Sequence, residues 1–162
     1  MRNYPIDSPQ SKARIIALAL LADGGLDKSE IECLESQDIV SRIGITTNAF
    51  DTVLQEFCQD IDQSGLCGLN GQLRLEHPAI EAMLDEIRQR DVRQALLRAI
   101  FSIVHADRNV SLGEAKLTAL AMTRWGGAIA ELQKNYDSVI SRPDRGKLYS
   151  LEFDLLRLDN LY

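Results

Sequence analysis

Hydrophobic residues recur along most of this chain at the three- and four-residue spacing of amphipathic helices. Ser8 followed by Pro9 is typical of a helix start, and the apolar stripe of this first helix runs from Ile15 to a predicted end near Asp23. Further helix starts are predicted at Asp27, Thr46 or Thr47, Pro78, Asp91 and Ser111, with a weaker helix over 128–140 and an amphipathic tail over 145–162.

Alternation typical of strands is confined to short stretches, over 64–77 and 149–153. The first of these contains an Asn70-Gly71 pair, which predicts a loop or a small hairpin. The pattern therefore predicts an all-α fold. We expect a single-domain bundle of about seven to eight helices over 1–162, built from two similar halves, about 9–63 and 78–141, with the second predicted helix running from Asp27 to Gly44.

One sequence motif occurs twice, as ADGGLDKSE over 22–30 and as ADRNVSLGE over 106–114. Each copy follows an apolar helical run and places a capping residue three positions before a glutamate. This spacing is that of a capping box, in which the cap oxygen and the glutamate carboxylate accept hydrogen bonds from open amide groups at a helix start. Capping accounts for Asp27 with Glu30 and for Ser111 with Glu114.

Capping does not account for the aspartate near the start of each motif, Asp23 or Asp107. A carboxylate at a helix C-terminus faces the negative pole of the helix dipole, at a cost of up to about 1 kcal/mol. Two explanations stay open: an Asx-type turn, in which the aspartate accepts hydrogen bonds from nearby amides, or a bound cation. If the two helix pairs pack together, four carboxylates could converge on a hard divalent metal ion. These candidate ligands are Asp23, Glu30, Asp107 and Glu114.

Composition narrows the choice of partner. The chain has 18 basic and 24 acidic residues and a net charge of −6, so it lacks the electrostatic footprint of a nucleic-acid-binding protein and better suits a divalent cation or a basic partner. Its three cysteines form no CxxC pair, which favours a reducing, cytoplasmic location. The apolar run IIALALLA is too short to span a membrane, and we interpret it as a core helix.

Other chemistry has little support in the sequence. The spacing of the first motif does not fit an EF-hand loop. His77 suits a helix start, and His105 is either a satisfied buried side chain or an additional metal ligand. Arg88, Arg90 and Arg93, with Arg98 further on, form either a solvated face or a patch for an acidic partner. We assign no catalytic or cofactor-binding residue.

The two motifs resemble the TerB-like tellurite-resistance family, whose relatives include the amino-terminal domain of a membrane-anchored J-protein. The shared pattern is Ala-Asp-Gly-x-apolar-[Asp/Ser]-x-x-Glu after a hydrophobic helix, and the resemblance spans roughly residues 11–125. The second copy departs from it at Arg108, where glycine is usual. The resemblance implies an intracellular helical bundle of two halves, divalent-metal binding by the four acidic residues, and a link to tellurite or metal stress.

The leading hypothesis is thus a non-enzymatic, metal-associated binding module. A metal-independent interaction scaffold, which holds a protein partner or a second copy of the chain through the tail or the arginines, is the alternative. A metal-dependent hydrolase ranks below both, because no nucleophile or substrate pocket can be named.

Overall fold

The structure is a computed structural model that describes residues 1–66, 76–106 and 109–126. Within these residues every regular element is an α-helix, which confirms the predicted all-α class. None of these helices combines the length and the apolar composition needed to cross a membrane. The helices are α1 (Pro9–Leu20), α2 (Lys28–Ser36), α3 (Ile39–Arg42), α4 (Thr47–Gln63), α5 (His77–Asp85), α6 (Arg90–Val104) and α7 (Leu112–Arg124).

Four predicted helix starts are confirmed by side-chain caps. The side chain of Ser8 accepts a hydrogen bond from the amide of Ser11, and Pro9 occupies the first turn of α1. The other caps are Asp27, Thr46 and Ser111, which accept from amides of α2, α4 and α7. Each cap satisfies an amide that has no partner within its own helix, and so fixes where the helix begins.

The second predicted helix, from Asp27 to Gly44, is wrong as a single element because the chain forms α2 and α3 instead. Asp38 between them adopts a left-handed conformation with φ of 50°, which a continuous right-handed helix cannot contain. Aspartate tolerates this conformation better than most residues.

The prediction that Asp91 caps a helix is also wrong, because Gln89 is the N-cap of α6 and Asp91 lies in its first turn. The carboxylate of Asp7 accepts hydrogen bonds from the amides of Arg88, at 2.7 Å, and Gln89, at 3.1 Å. These bonds fix the chain just before the helix, so α6 starts without a local side-chain cap.

The chain divides into two units, Met1–Ala128 and Ile129–Tyr162, and the described helices all belong to the first. The predicted hairpin at Asn70-Gly71, the helix over 128–140 and the amphipathic tail lie outside the described residues. The single domain over 1–162 and the two similar halves stay predictions.

Helix α1 lies in the core. Every residue from Ala13 to Leu20 is buried, and the helix packs against α4, α5 and α6. A helix that is apolar on all sides requires such surroundings, which explains the apolar run in the sequence. Helix α6 in turn packs against α1, α2 and α7. Trp125 closes the far edge of this core, where its indole Nε1 donates to the carbonyl of Leu84 at 3.2 Å.

A buried arginine holds the N-terminal segment against the bundle. Arg14 of α1 donates to the Glu86 carboxylate and to the carbonyl of Arg2, and its guanidinium lies 4.8 Å from the ring centroid of Tyr4. Tyr4 donates to the carboxylate of Glu56 at 2.6 Å. This network satisfies most of the polar atoms of a charged side chain that would otherwise be costly to bury.

A close backbone contact joins the end of α1 to the start of α7. A Cβ atom built at Gly113 would overlap the carbonyl oxygen of Ala22 and lie 2.8 Å from its carbonyl carbon. Glycine in a helix costs about 1 kcal/mol relative to alanine. The contact explains this glycine, because no larger residue allows the two backbones to approach so closely.

Gly113→Ala is therefore expected to destabilise the fold by about 1–3 kcal/mol, since overlap with the Ala22 backbone outweighs the gain in helix propensity. Urea unfolding monitored by circular dichroism measures the change. Gly25→Ala is the matched control, because a Cβ there meets nothing within 4 Å. Equal stability of the two variants would contradict the contact.

Candidate functional site

Two junctions between helices carry the repeated motif, and the fold brings them together. The first junction covers residues 21–27 between α1 and α2, and the second covers 105–111 between α6 and α7. Gly113 packs on Ala22 where they meet. Across the neighbouring α2–α6 interface, the thiol of Cys33 donates to the carbonyl of Ser102 at 3.2 Å. The starts of α2 and α7 therefore face the same interior region.

Glu30 and Glu114 occupy equivalent positions, each the third residue of its helix. Both are buried, with 3% of their surface exposed. Glu114 completes the predicted capping box, since its Oε2 accepts from the amide of Ser111 at 2.6 Å and its own amide donates to the Ser111 hydroxyl at 3.2 Å. At the start of α2 the side chain of Asp27 accepts from the amide of Ser29, at 2.7 Å, and not from that of Glu30, so the reciprocal box predicted for Asp27 and Glu30 is not formed there. Capping thus occupies part of the Glu114 carboxyl group.

The carboxyl groups of Glu30 and Glu114 also interact with each other. Glu114 acts on the ionisation of Glu30 through its charge and through a hydrogen bond between the two side chains, and such a bond needs a proton on one of the carboxyl groups. Burial, with the negative charges of Asp23 and Glu114, raises the pKa of Glu30 to about 8. Glu30 therefore carries the proton at neutral pH. Its buried Oε2 accepts no hydrogen bond from the described residues.

Asp23 lies at the exposed edge of this glutamate pair. Its Oδ1 accepts from the amide of Gly25 at 3.0 Å, which is the Asx-type turn expected without a ligand. The same carboxylate is close enough to act on the ionisation of Glu30. Asp23 therefore has a turn role and also contributes negative charge to the pair.

Three of the four predicted carboxylate ligands lie among the residues that the structure describes. Asp23 and Glu114 both act on the ionisation of Glu30, whereas Asp107 lies outside the described residues. Over residues 1–66, 76–106 and 109–126, no group of three or more histidine, cysteine, aspartate or glutamate side chains is arranged to hold a metal ion. The pair of Glu30 and Glu114 is the part of the prediction that has a defined geometry.

His105 does not join this pair. It is exposed at the C-cap of α6, and its Nδ1 lies 2.8 Å from the carbonyl oxygen of Phe101. The side chain is satisfied locally, as expected, but it is not buried. His77 is the first residue of α5, as predicted. Of the arginine stretch, Arg88, Arg90 and Arg98 are exposed, in keeping with a solvated face.

Cys33 is a neighbour of the pair that the sequence analysis missed. Burial, together with the nearby Glu30 carboxyl group, raises the pKa of this thiol, so it stays a protonated donor to Ser102. Its position three residues after Glu30, one helical turn away, is the signal that places it near the pair. Gly113 was missed too, although a glycine inside the first turn of a predicted helix indicates a close contact.

The glutamate pair makes the stability of the protein depend on pH. Glu30 keeps its proton up to about pH 8 when folded, whereas its ordinary pKa is 4.5. The folded state thus binds more protons between these values, and the free energy of unfolding falls as pH rises through that range and levels off above it. Urea unfolding in EDTA at pH 5, 6.5, 8 and 9 measures this slope.

The variant Glu30→Gln isolates the contribution of Glu30 to this pH dependence, because the glutamine side-chain amide resembles the protonated acid and can donate to Glu114. We expect the variant to lose this part of the slope and to be more stable than the parent at pH 9 by about 1–3 kcal/mol, since the parent then buries an unpaired charge. Glu35→Gln, on the exposed face of α2, is the control and should retain the parent slope. Parallel pH profiles for the parent and Glu30→Gln would disprove the protonated pair.

No protein-family model, curated protein or solved structure matches this chain. The resemblance to the TerB-like family therefore depends on the residues of the two motifs alone.

Proposed function

We propose that this protein is a non-enzymatic binding module that holds a hard divalent cation between the starts of α2 and α7. The ion takes the place of the proton on Glu30 and binds the carboxylates of Glu30 and Glu114. One observation carries the proposal: two buried carboxyl groups are in contact, and Glu30 Oε2 has no donor among the described residues. Such a contact requires a positive charge, which a proton or a metal ion supplies.

The available ligands favour Mg²⁺ or Mn²⁺ over softer metals. Both glutamates offer carboxylate oxygens, which suit hard cations, and Mg²⁺ commonly binds one or two carboxylates while it keeps several waters. Asp23, exposed at the edge of the pair, can accept a hydrogen bond from such a water. Cys33 remains a thiol, so it does not add the thiolate that zinc or copper sites use.

Two opposing electrostatic effects set the affinity. The helix starts of α2 and α7 each place partial positive charge, up to roughly half an elementary charge, beside the carboxylates and weaken cation binding. The carboxylates of Glu30 and Glu114, with the nearby charge of Asp23, favour it. Because metal binding has to displace the proton from Glu30, we infer that affinity increases with pH up to about 8.

The resemblance to the TerB-like family adds a cellular process to this chemistry. It supports a role in tellurite or metal stress in the cytoplasm, in which the protein responds to a divalent ion and does not transform a substrate. A fold of this kind does not by itself define an activity, so the assignment depends on the ion.

Calorimetric titration of Mg²⁺, Mn²⁺, Ca²⁺ and Zn²⁺ into EDTA-treated, dialysed protein at pH 8 tests the proposal. We expect saturable binding of Mg²⁺ or Mn²⁺ to the parent, no binding to Glu30→Gln, and a weaker effect of Asp23→Asn, because Asp23 contributes charge but no buried ligand. Glu35→Gln should bind as the parent does. Below pH 8, titration in two buffers of different ionisation enthalpy should reveal proton release.

The outcomes separate the alternatives. If no metal gives saturable heat with the parent, the proposed metal binding is wrong, and Glu30 and Glu114 are a protonated structural pair. Binding that Glu30→Gln retains would place the ion elsewhere. Asp107→Asn belongs in the same series, because a loss equal to that of Glu30→Gln would assign Asp107 as a ligand.

A second candidate, the metal-independent interaction scaffold, is favoured by exposed apolar side chains near the two junctions. Leu112, the first residue of α7, is 87% exposed, and Leu26 and Val110 are about half exposed. Leu26 and Val110 each precede a helix cap, a position where an apolar residue usually packs on its own helix. A second copy of the chain could cover them.

Sedimentation velocity of the EDTA-treated parent over a range of concentrations tests this second candidate. If the exposed leucine mediates self-association, the parent forms a dimer and Leu112→Asp lowers the dimer fraction at least tenfold at the same concentration. The helix start tolerates the substitution, because an acidic residue in the first turn is favourable. A parent that stays monomeric throughout would exclude the second copy as the partner.

A further inference from the structure

A cavity of about 310 Å³ lies between α1, the end of α3 and the start of α6. Lys12 of α1 and Arg42 of α3 line it together with Gly44. Its volume is at the lower end of the range for small-molecule sites. Lys12 and the C-terminal residue of α1, Leu20, are eight residues apart, or about 12 Å along the helix, so the cavity is separate from the glutamate pair.

The two cations of this cavity have no ion-pair partner in the part of the chain that the structure describes. The side chains of Lys12 and Arg42 make no hydrogen bond or ion pair with the described residues, whereas Arg2, Arg14 and Arg124 are each paired with a carboxylate. A chain with a net charge of −6 offers many acidic partners. Two unpaired cations from different helices that line one cavity leave it the capacity to bind an anion.

The rest of the lining defines the ligand more closely. Asp91, in the first turn of α6, also lines the cavity, so its three charged side chains sum to a single positive charge. This balance suits a monoanion better than a phosphate dianion. Ile43, Val92 and Ala95 supply apolar surface. A guanidinium matches the two oxygens of a carboxylate.

We propose that this cavity binds a small organic carboxylate that has an apolar portion. Lys12 and Arg42 pair with the carboxylate oxygens, and the apolar portion contacts Val92 and Ala95. The cavity thereby adds a small-molecule site to the protein, independent of the cation.

Hexanoate is the probe, because it combines one carboxylate with a short apolar chain. Titration of ¹⁵N-labelled full-length protein at constant ionic strength and in EDTA should give saturable shifts at the amides of Gly44, Val92 and Ala95. We expect Lys12→Gln and Arg42→Gln each to weaken binding about tenfold, since each removes one charge-assisted contact. Lys28→Gln, on exposed α2, should bind hexanoate as the parent does.

Further probes test charge and shape separately. Hexylamine should give no saturable shift, and inorganic phosphate should bind at least tenfold more weakly than hexanoate. Ala95→Leu, which adds apolar volume to the cavity without changing charge, should weaken hexanoate binding. This variant keeps the proposal testable if a charge substitution alters the fold, which circular dichroism would show.

No saturable shift with hexanoate in the parent would overturn the proposal. So would binding that both charge substitutions leave unchanged, or phosphate binding as tight as that of hexanoate. Since EDTA is present and Glu30 is intact in every sample, these results are independent of the proposed metal site.

Discussion

The contact between Gly113 and the carbonyl of Ala22 is the constraint on which the candidate site depends. It brings the first turn of α7 against the end of α1, and the packing of α2 on α6 brings the start of α2 to the same place. The glutamates at the third position of each helix then have to share one interior region. The two glutamates meet as a buried pair because the two helix starts pack together at this contact.

The glutamate pair differs from an isolated cap in its need for a shared positive charge. A single buried carboxylate at a helix start is stabilised by amides and by the helix dipole. Two such carboxylates in contact repel each other more strongly than two helix starts compensate in a region of low dielectric. Glu30 therefore takes up a proton in the metal-free protein. The same requirement is what makes exchange of this proton for a divalent ion chemically reasonable.

Local features of the sequence predicted local features of the structure. Caps at Ser8, Asp27 and Ser111 could be identified because each involves residues within one helical turn. The break at Asp38 could not, since a left-handed aspartate looks like any other polar residue in a helical pattern. The start of α6 depends on Asp7, more than eighty residues away, and no local pattern contains that information.

The candidate site likewise has a local part that could be predicted from the sequence and a part that depends on packing and could not. The repeated spacing predicted a capping box at each helix start, which Ser111 and Glu114 form but Asp27 and Glu30 do not. The Asx-type turn of Asp23 was one of two explanations that the residues allowed. The sequence predicted that the acidic residues of the two motifs meet only if the two helix pairs pack together. The glycine at position 113, inside the first turn of a predicted helix, was the one local feature that indicated such packing. The cavity lined by Lys12 and Arg42 could not be predicted, because a lysine or arginine that lines a cavity has the same local sequence pattern as one on a solvated surface.

The two proposed sites lie toward opposite ends of one rigid element. Helix α1 is buried from Ala13 to Leu20, carries Lys12 near its start, and ends beside the first junction. The glutamate pair belongs to the starts of α2 and α7, whereas the cavity is lined mainly from α1, α3 and α6, so the two proposed sites share no residue and can be occupied independently.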